Sequence, residues 1–248
     1  MRTTVRAVTA AAGIAIAALV LSGCSLLPAH KTTDTATLTD SVSTIHFEAS
    51  SGSISVHGVA GATDIRIERE INYWGNKREF GATYEVGGGE LLLSGCGNRC
   101  SIDYTVELPI GVDVSGVTEN GAIELEGVND VDVATSNGRI SLEEVAGKVE
   151  ASTSNGRIEG SELNGSGIRV KTSNGSIELE LEKAQNVRAN TSNGSITVHV
   201  PSGSFQVEAE TSLGSRNINI PTDPNGAFLL ELGTSNGSIT VQPLDAGN

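Results

Sequence analysis

Val131-Asp-Val-Ala-Thr135-Ser-Asn-Gly138-Arg-Ile140-Ser-Leu142 decides the fold, because the chain keeps returning to it. Thr-Ser-Asn-Gly begins at Thr135, Thr153, Thr172, Thr191 and Thr234, with variants at Thr118-Glu-Asn-Gly121 and Thr211-Ser-Leu-Gly214. The glycines Gly121, Gly138, Gly156, Gly175, Gly194, Gly214 and Gly237 stand 17, 18, 19, 19, 20 and 23 residues apart, and an earlier copy centres on Gly52. Self-similarity at a near-constant period marks a repeat architecture.

Aligned on that glycine, the copies carry ladders of like residues. Seven positions before it stand Ile45, Val114, Val131, Val149, Ile168, Val187, Val207 and Leu230. Two after it come Ile54, Ile123, Ile140, Ile158, Ile177, Ile196 and Ile239, with Arg216 the exception. Four after it are Val56, Leu125, Leu142, Leu179, Val198 and Val241, interrupted by Gly160. Within a copy, apolar and Thr positions alternate with polar ones, the period of strands buried on one face. Each copy therefore gives two short strands joined at the Asn-Gly.

Two all-β architectures fit. In an antiparallel meander or sandwich each Asn-Gly is a type I′ hairpin turn. In a parallel β-helix-like solenoid of about eight short repeats each copy is one coil, stacked on the next at about 4.8 Å. Parity alone does not separate them. Stacking puts equivalent residues in contact, so it accounts for the columns and for the scarcity of rings, which crowd the adjacent layer. The solenoid is the expected fold. The turn ladder Asn120-Gly121, Asn137-Gly138, Asn155-Gly156, Asn174-Gly175, Asn193-Gly194 and Asn236-Gly237 is expected to be structural, since stacked Asn bonds its neighbours and tolerates tight backbone. Calcium-binding repeats place carboxylates at such turns, whereas these have Ser and Asn.

The repeated Thr-Ser-Asn-Gly-Ser-Ile phrase, with the strand-like Asp103-Tyr-Thr-Val-Glu-Leu-Pro109 that leads into the regular copies, resembles the putative-adhesin family of bacterial extracytoplasmic proteins. The resemblance covers about residues 37 to 243. It implies a parallel β-helix-like solenoid and carries no catalytic signature.

The start of the chain speaks to location. Arg2 and Arg6 precede an apolar run from Ala7 to Leu21 and then Leu21-Ser-Gly-Cys24. A charged region, a short apolar region and small residues before a cleavage point make a signal peptide over residues 1–23 rather than a spanning helix. Leu-Ser-Gly-Cys resembles a lipobox, which implies diacylglycerol and palmitate on Cys24 and an extracytoplasmic protein anchored to the outer face of the cell membrane. Two acyl chains hold a protein on a bilayer where one does so marginally. Residues 24–40 are expected to be the lipidated Cys and a polar linker, 41–243 the β-strand-repeat domain with 57–110 as an irregular insertion, and 244–248 a tail.

Losing Arg2 and Arg6 takes the formal charge from −14 to −16. That acid excess speaks against nucleic acid and anionic headgroups, whose affinity is built from Lys and Arg. The remaining cysteines, Cys96 and Cys100, lie in Ser94-Gly-Cys-Gly-Asn-Arg-Cys100 on the oxidising side of the membrane and read as a local disulfide. His30, His46, His57 and His199 show no spacing with them that would complete a zinc site. No metal or cofactor is implied.

A polysaccharide-active enzyme on a β-helix scaffold is the alternative function. It needs paired acids at a groove. Glu124, Glu159 and Glu178 share a column, with Arg139 and Arg157 in the one just after the glycine, and such rows are ordinarily solvated surface. The expected function is non-enzymatic: adhesion, binding or scaffolding at the cell surface, with a surface protein or glycan as partner. The segment Ile71-Asn-Tyr73-Trp74-Gly-Asn-Lys-Arg78-Glu-Phe80 holds the chain's one Trp beside two cations. Tyr73, Trp74, Arg78 and Phe80 are candidate binding residues, since exposed rings and Arg anchor interfaces. The other reading is a cap over the solenoid end, which would otherwise expose apolar ladders and strand edges.

Overall fold

The computed structural model describes residues 28–244. Cys24, the signal peptide and residues 245–248 lie outside it. The first third carries β1 (Ala29–Leu38), β2 (Thr44–Ser51), β3 (Ile54–Val59), β4 (Ile65–Trp74), β5 (Tyr84–Gly87), β6 (Glu90–Ser94) and β7 (Cys100–Pro109). The regular copies follow as β8 (Asp113–Asn120), β9 (Ile123–Glu126), β10 (Val131–Asn137), β11 (Ile140–Glu143), β12 (Val149–Asn155), β13 (Ile158–Leu163), β14 (Ile168–Asn174) and β15 (Ile177–Leu181). The last are β16 (Val187–Asn193), β17 (Ile196–Val200), β18 (Phe205–Leu213), β19 (Arg216–Ile218), β20 (Phe228–Asn236) and β21 (Ile239–Pro243).

These strands form two sheets facing each other across one core. The first runs β1-β4-β7-β3-β9-β11-β13-β15-β17-β21-β19 and the second β18-β20-β16-β14-β12-β10-β8-β2-β6-β5. The copies pair parallel and in register, Val131 beside Val114 and Val149, and Ile140 beside Ile123 and Ile158. A meander would pair them antiparallel, so the fold is the solenoid. Antiparallel pairing occurs at the N-terminal end, between β1 and β4, β4 and β7, and β5 and β6.

The core is the expected ladders. Each Ile two after the glycine is buried, a burial that contributes roughly 1.5–3 kcal/mol per side chain. Two breaks in the columns have steric causes. Gly160 leaves a gap that Leu163 fills, since a Cβ at Gly160 would lie 2.7 Å from Leu163 Cδ1. Gly116 makes room for the ring of Phe47 on the adjacent strand, 2.6 Å from where its Cβ would be. Here a ring in one layer is matched by a glycine in the next.

The Thr-Ser-Asn-Gly phrase divides its labour by position. The Thr hydroxyl points inward and donates to the turn-glycine carbonyl of the adjacent coil, as from Thr172 to Gly156 at 3.0 Å and from Thr135 to Gly121 at 3.1 Å. Ser faces outward. Asn forms the ladder: Nδ2 of Asn137, Asn155, Asn174, Asn193 and Asn236 each donates to Oδ1 of the preceding Asn at 2.9–3.0 Å. Gly is required because a Cβ on Gly156 would fall 1.9 Å from the Gly138 carbonyl oxygen. Close approach of stacked backbone, rather than a hairpin turn, fixes that column.

Both ends depart from the order of the sequence. At the C-terminal end β20 and β21 lie between the coil β16–β17 and the coil β18–β19, so β18–β19 is outermost. That position explains Leu213 and Arg216: the Asn ladder ends at Asn236, Leu213 is 70% exposed, and Arg216 beside Ile239 has no layer beyond it. At the N-terminal end β6–β7 forms a further coil outside β2–β3, parallel to it in both sheets. The segment expected as an irregular insertion is thus a ninth coil plus antiparallel strands. Likewise residues 29–38 of the expected linker are not linker but the edge strand β1, paired with β4 from Ala29–Trp74 to Leu38–Ile65. Its Thr-rich sequence has no aliphatic stripe because an edge strand half-buries its inner face.

Candidate functional site

The outward side of the second sheet is a continuous surface built by the stack. Alternation along β10, β12, β14, β16 and β20 sends every second residue to solvent. One outward row reads Asp132, Glu150, Arg169, Arg188 and Glu231, and the next Ala134, Ser152, Lys171, Asn190 and Gly233. The second row is made of small side chains at both ends, so a groove runs across the coils. Its central part, of about 610 Å³, is lined by Asp132, Ala134, Glu150, Ser152, Arg169, Lys171, Arg188 and Asn190. It continues towards β2 along Ser136, Ser154 and Ser173 in a part of about 590 Å³. Arg188 pairs with Glu231 at 3.0 Å, while Arg169 and Lys171 stand exposed beside the groove. These three cations lie on two adjacent coils, and with Asp132 and Glu150 also lining the groove its lining carries a charge of +1 in a chain of −14.

The outward side of the first sheet is acidic. Glu124, Glu159 and Glu178 share a row as expected. Glu159 is held by Arg157 at 2.6 Å and Arg139 at 3.7 Å, and hydrogen bonding to Glu159 raises the Arg157 pKa above its ordinary value. The shallow depression there, of about 210 Å³, is lined by Ser141, Glu159, Ser161, Glu178 and Glu180. Among the described residues no group of three or more His, Cys, Asp or Glu is placed to hold a metal ion. Among them, too, no helix is long and apolar enough to cross a membrane.

The four aromatic and cationic candidates divide between the two roles weighed for them. Tyr73, 2% exposed, lies in the core, where its ring meets Phe80 edge-on at 4.9 Å and stacks on His30 at 5.0 Å. Phe80 is half-buried against the core. These two rings cap the end of the stack. Trp74, one residue on, alternates outward and is 47% exposed. Arg78 lies over both rings, 4.7 Å from Phe80 and 5.5 Å from Tyr73, and its Nη2 donates to the Asn98 carbonyl at 3.2 Å. The disulfide Cys96–Cys100, with Cα atoms 6.0 Å apart, closes the turn of the β6–β7 coil beside it.

One buried network at this end was missed. Arg69, 8% exposed, donates from Nε to Asp34 at 2.6 Å and from Nη1 to the Gly81 carbonyl at 2.7 Å and to Thr83 Oγ1 at 2.9 Å. The hydrogen bond it donates to Asp34 raises its pKa, offsetting the opposing effect of burial. Its cross-strand partner Tyr104 donates its hydroxyl among the Thr83 and Ser94 carbonyls, and burial pushes its pKa up to about 12. Parity held the signal: Ile65, Ile67, Ile71 and Tyr73 face inward, and an Arg in that register needs buried partners.

Similar solved structures include a putative cell adhesion protein from Clostridium sporogenes, at 15% identity over 88% of this chain and 100% of that one, with a TM-score of 0.43. A putative adhesin from Bacteroides fragilis matches at 16% identity over 86% and 97%, with a TM-score of 0.45. Another from Parabacteroides merdae matches at 13% over 87% and 96%, also at 0.45. No curated protein matches the chain. The sequence model of the Toastrack DUF4097 family matches residues 36–242, and the chain belongs to that family.

Proposed function

We propose that this chain is a non-enzymatic cell-envelope protein, tethered to the outer face of the membrane through lipid on Cys24, whose rigid solenoid binds an anionic partner along the outward side of its second sheet. Adhesion and scaffolding are both uses of such a surface. The observation that carries the reading is the groove flanked by Arg169, Lys171 and Arg188 on two adjacent in-register strands. Stacked strands hold the backbone that carries those cations at fixed spacing, so little backbone order has to be created on binding.

Crosslinking in intact cells, comparing wild type with an Arg169→Glu and Lys171→Glu double variant, tests the surface. Loss of a captured protein or glycan in the variant is expected; undiminished capture overturns the assignment. Cys24→Ser is expected to release the protein into the medium, and continued retention on the membrane overturns the tether. The polysaccharide-active alternative rests on the Glu159 and Glu178 depression. There Glu159 is engaged by two arginines on an open surface, whereas the groove of the second sheet is the larger and leaves Arg169 and Lys171 exposed beside it.

A further inference from the structure

The tip of β4 gathers features found nowhere else among the described residues. Trp74, the chain's one tryptophan, is exposed there with Lys77, Arg78 and Arg99 around it. The Trp74 amide donates to the Arg99 carbonyl at 3.1 Å, which brings the 96–100 turn against the 74–80 loop. Glu79 is the one carboxylate in residues 74–80 and 96–100, so the corner has a local charge of +2 in a chain of −14. Residue 28 is at the same place: the Gly75 amide donates to the Pro28 carbonyl at 3.1 Å, and His30 Nε2 lies 3.1 Å from the Gly75 carbonyl. Four residues carry the chain from Cys24 to Pro28, a reach of roughly 14 Å at full extension.

We infer that this corner rests on an anionic lipid surface, with Trp74 at the level of the headgroups and Lys77, Arg78 and Arg99 against lipid phosphates. The inference rests on the tether through Cys24 proposed above, and it adds an orientation: the stack is seated by its N-terminal corner, with the groove of the second sheet left for a partner. Tryptophan concentrates at membrane interfaces, where its ring is apolar and its N–H is wet. Cations there add attraction that decays within a Debye length of about 8–10 Å. The acid excess that argues against anionic headgroups for the whole chain is therefore overridden at a corner held close by a short tether. The cap underneath keeps the corner stiff, because Arg78 is stacked on buried rings and the disulfide closes the adjacent turn.

Because Trp74 is the chain's one tryptophan, its fluorescence reports this corner directly. Protein purified from its own membrane is reconstituted into vesicles of one part phosphatidylglycerol to two parts phosphatidylcholine, with and without brominated acyl chains, and its intact mass is measured. A blue-shifted emission quenched about two-fold by the brominated lipid is expected. Neutralising Lys77 and Arg99 together (Lys77→Gln, Arg99→Gln) is expected to abolish quenching at an unchanged urea midpoint, each cation lost weakening partitioning roughly five-fold. A lipidated mass with unshifted, unquenched emission overturns the inference and leaves the tether standing. A mass without lipid, with quenching retained, overturns the tether and leaves the corner as a lipid-binding surface. A photoreactive benzophenone side chain in place of Trp74 that crosslinks to a protein in whole envelopes, and not to lipid, marks a protein occupant and overturns the lipid assignment.

Discussion

In the stack from β8 to β17 most inward side chains have a like neighbour in the layers above and below, Gly116 and Gly160 being the breaks; at the N-terminal end almost none does. The stack repeats one Ile, one Thr hydroxyl and one Asn bond per coil, so its stability is a sum of similar small terms. The end of the solenoid has one direction in which no further copy follows, and it is closed by groups that occur once: Arg69 with Asp34, Tyr104 with Thr83, and Tyr73 with Phe80. Repetition tolerates the loss of a member unless the member sets the spacing itself. A unique end concentrates its stability in a few side chains.

That contrast can be broken at its strongest point by Gly156→Ala. The added Cβ would overlap the Gly138 carbonyl, and a loss of about 3 kcal/mol is expected from the urea midpoint, against less than about 0.5 for Gly81→Ala, where nothing lies within 4 Å. A midpoint like that of wild type would mean the coils can part locally, and the spacing argument fails. Next in size, Arg69→Met is expected to lower stability by about 2 kcal/mol, with amide exchange accelerated across β5 and β6 and unchanged in β12 to β16. Exchange rising equally everywhere would show that the two regions unfold as one.

The alkaline limb sharpens the same point. The Tyr104 pKa is raised in the folded state to about 12, so its stabilising contribution is complete below pH 10 and is lost as pH climbs from 10 to about 12. A fall of about 2 kcal/mol over that window is expected in wild type and not in Tyr104→Phe; an identical fall in the variant would remove Tyr104 as its cause. Smallest is Asn155→Ala, expected to cost about 0.5 kcal/mol because the ladder is exposed. Paired with Asn174→Ala it should be less than additive, since both changes break the same bond, and strict additivity would show that the ladder bonds contribute nothing.

The repeat was legible in the sequence because stacking forces equivalent positions to the same residue, and Val131 or Ile140 carries the signal by itself. What was not legible follows from the same fact. If every coil offers the same Val, Thr and Asn to its neighbour, the columns do not record which neighbour it has, so the displacement of β18–β19 left no trace beyond Leu213 and Arg216. β1 read as linker because its contacts are those of an edge, half-buried and polar. The groove was hidden for another reason: Arg169, Lys171 and Arg188 are scattered at outward positions of two copies, and the register that joins them is set by inward ones. In the 71–80 segment alternation would have separated Tyr73 from Trp74, one turned to the core and the other away.

The displaced coil also sets a timetable. On emergence of the chain β18–β19 is made before β20–β21, yet its native seat is on β20–β21, and the seat of β20–β21 is on β16–β17. In the interval the exposed edge of β16 faces a strand with matching residues, Val207 for Val187 and Thr211 for Thr191, at the register β20 will later occupy. Premature docking there is a decoy nearly as good as the true partner, and it must be undone before the later coil can slip between. Where growth runs layer by layer from the N-terminal side, the last step is then the exchange of one coil for its near twin, and a slow phase of refolding is expected to belong to it.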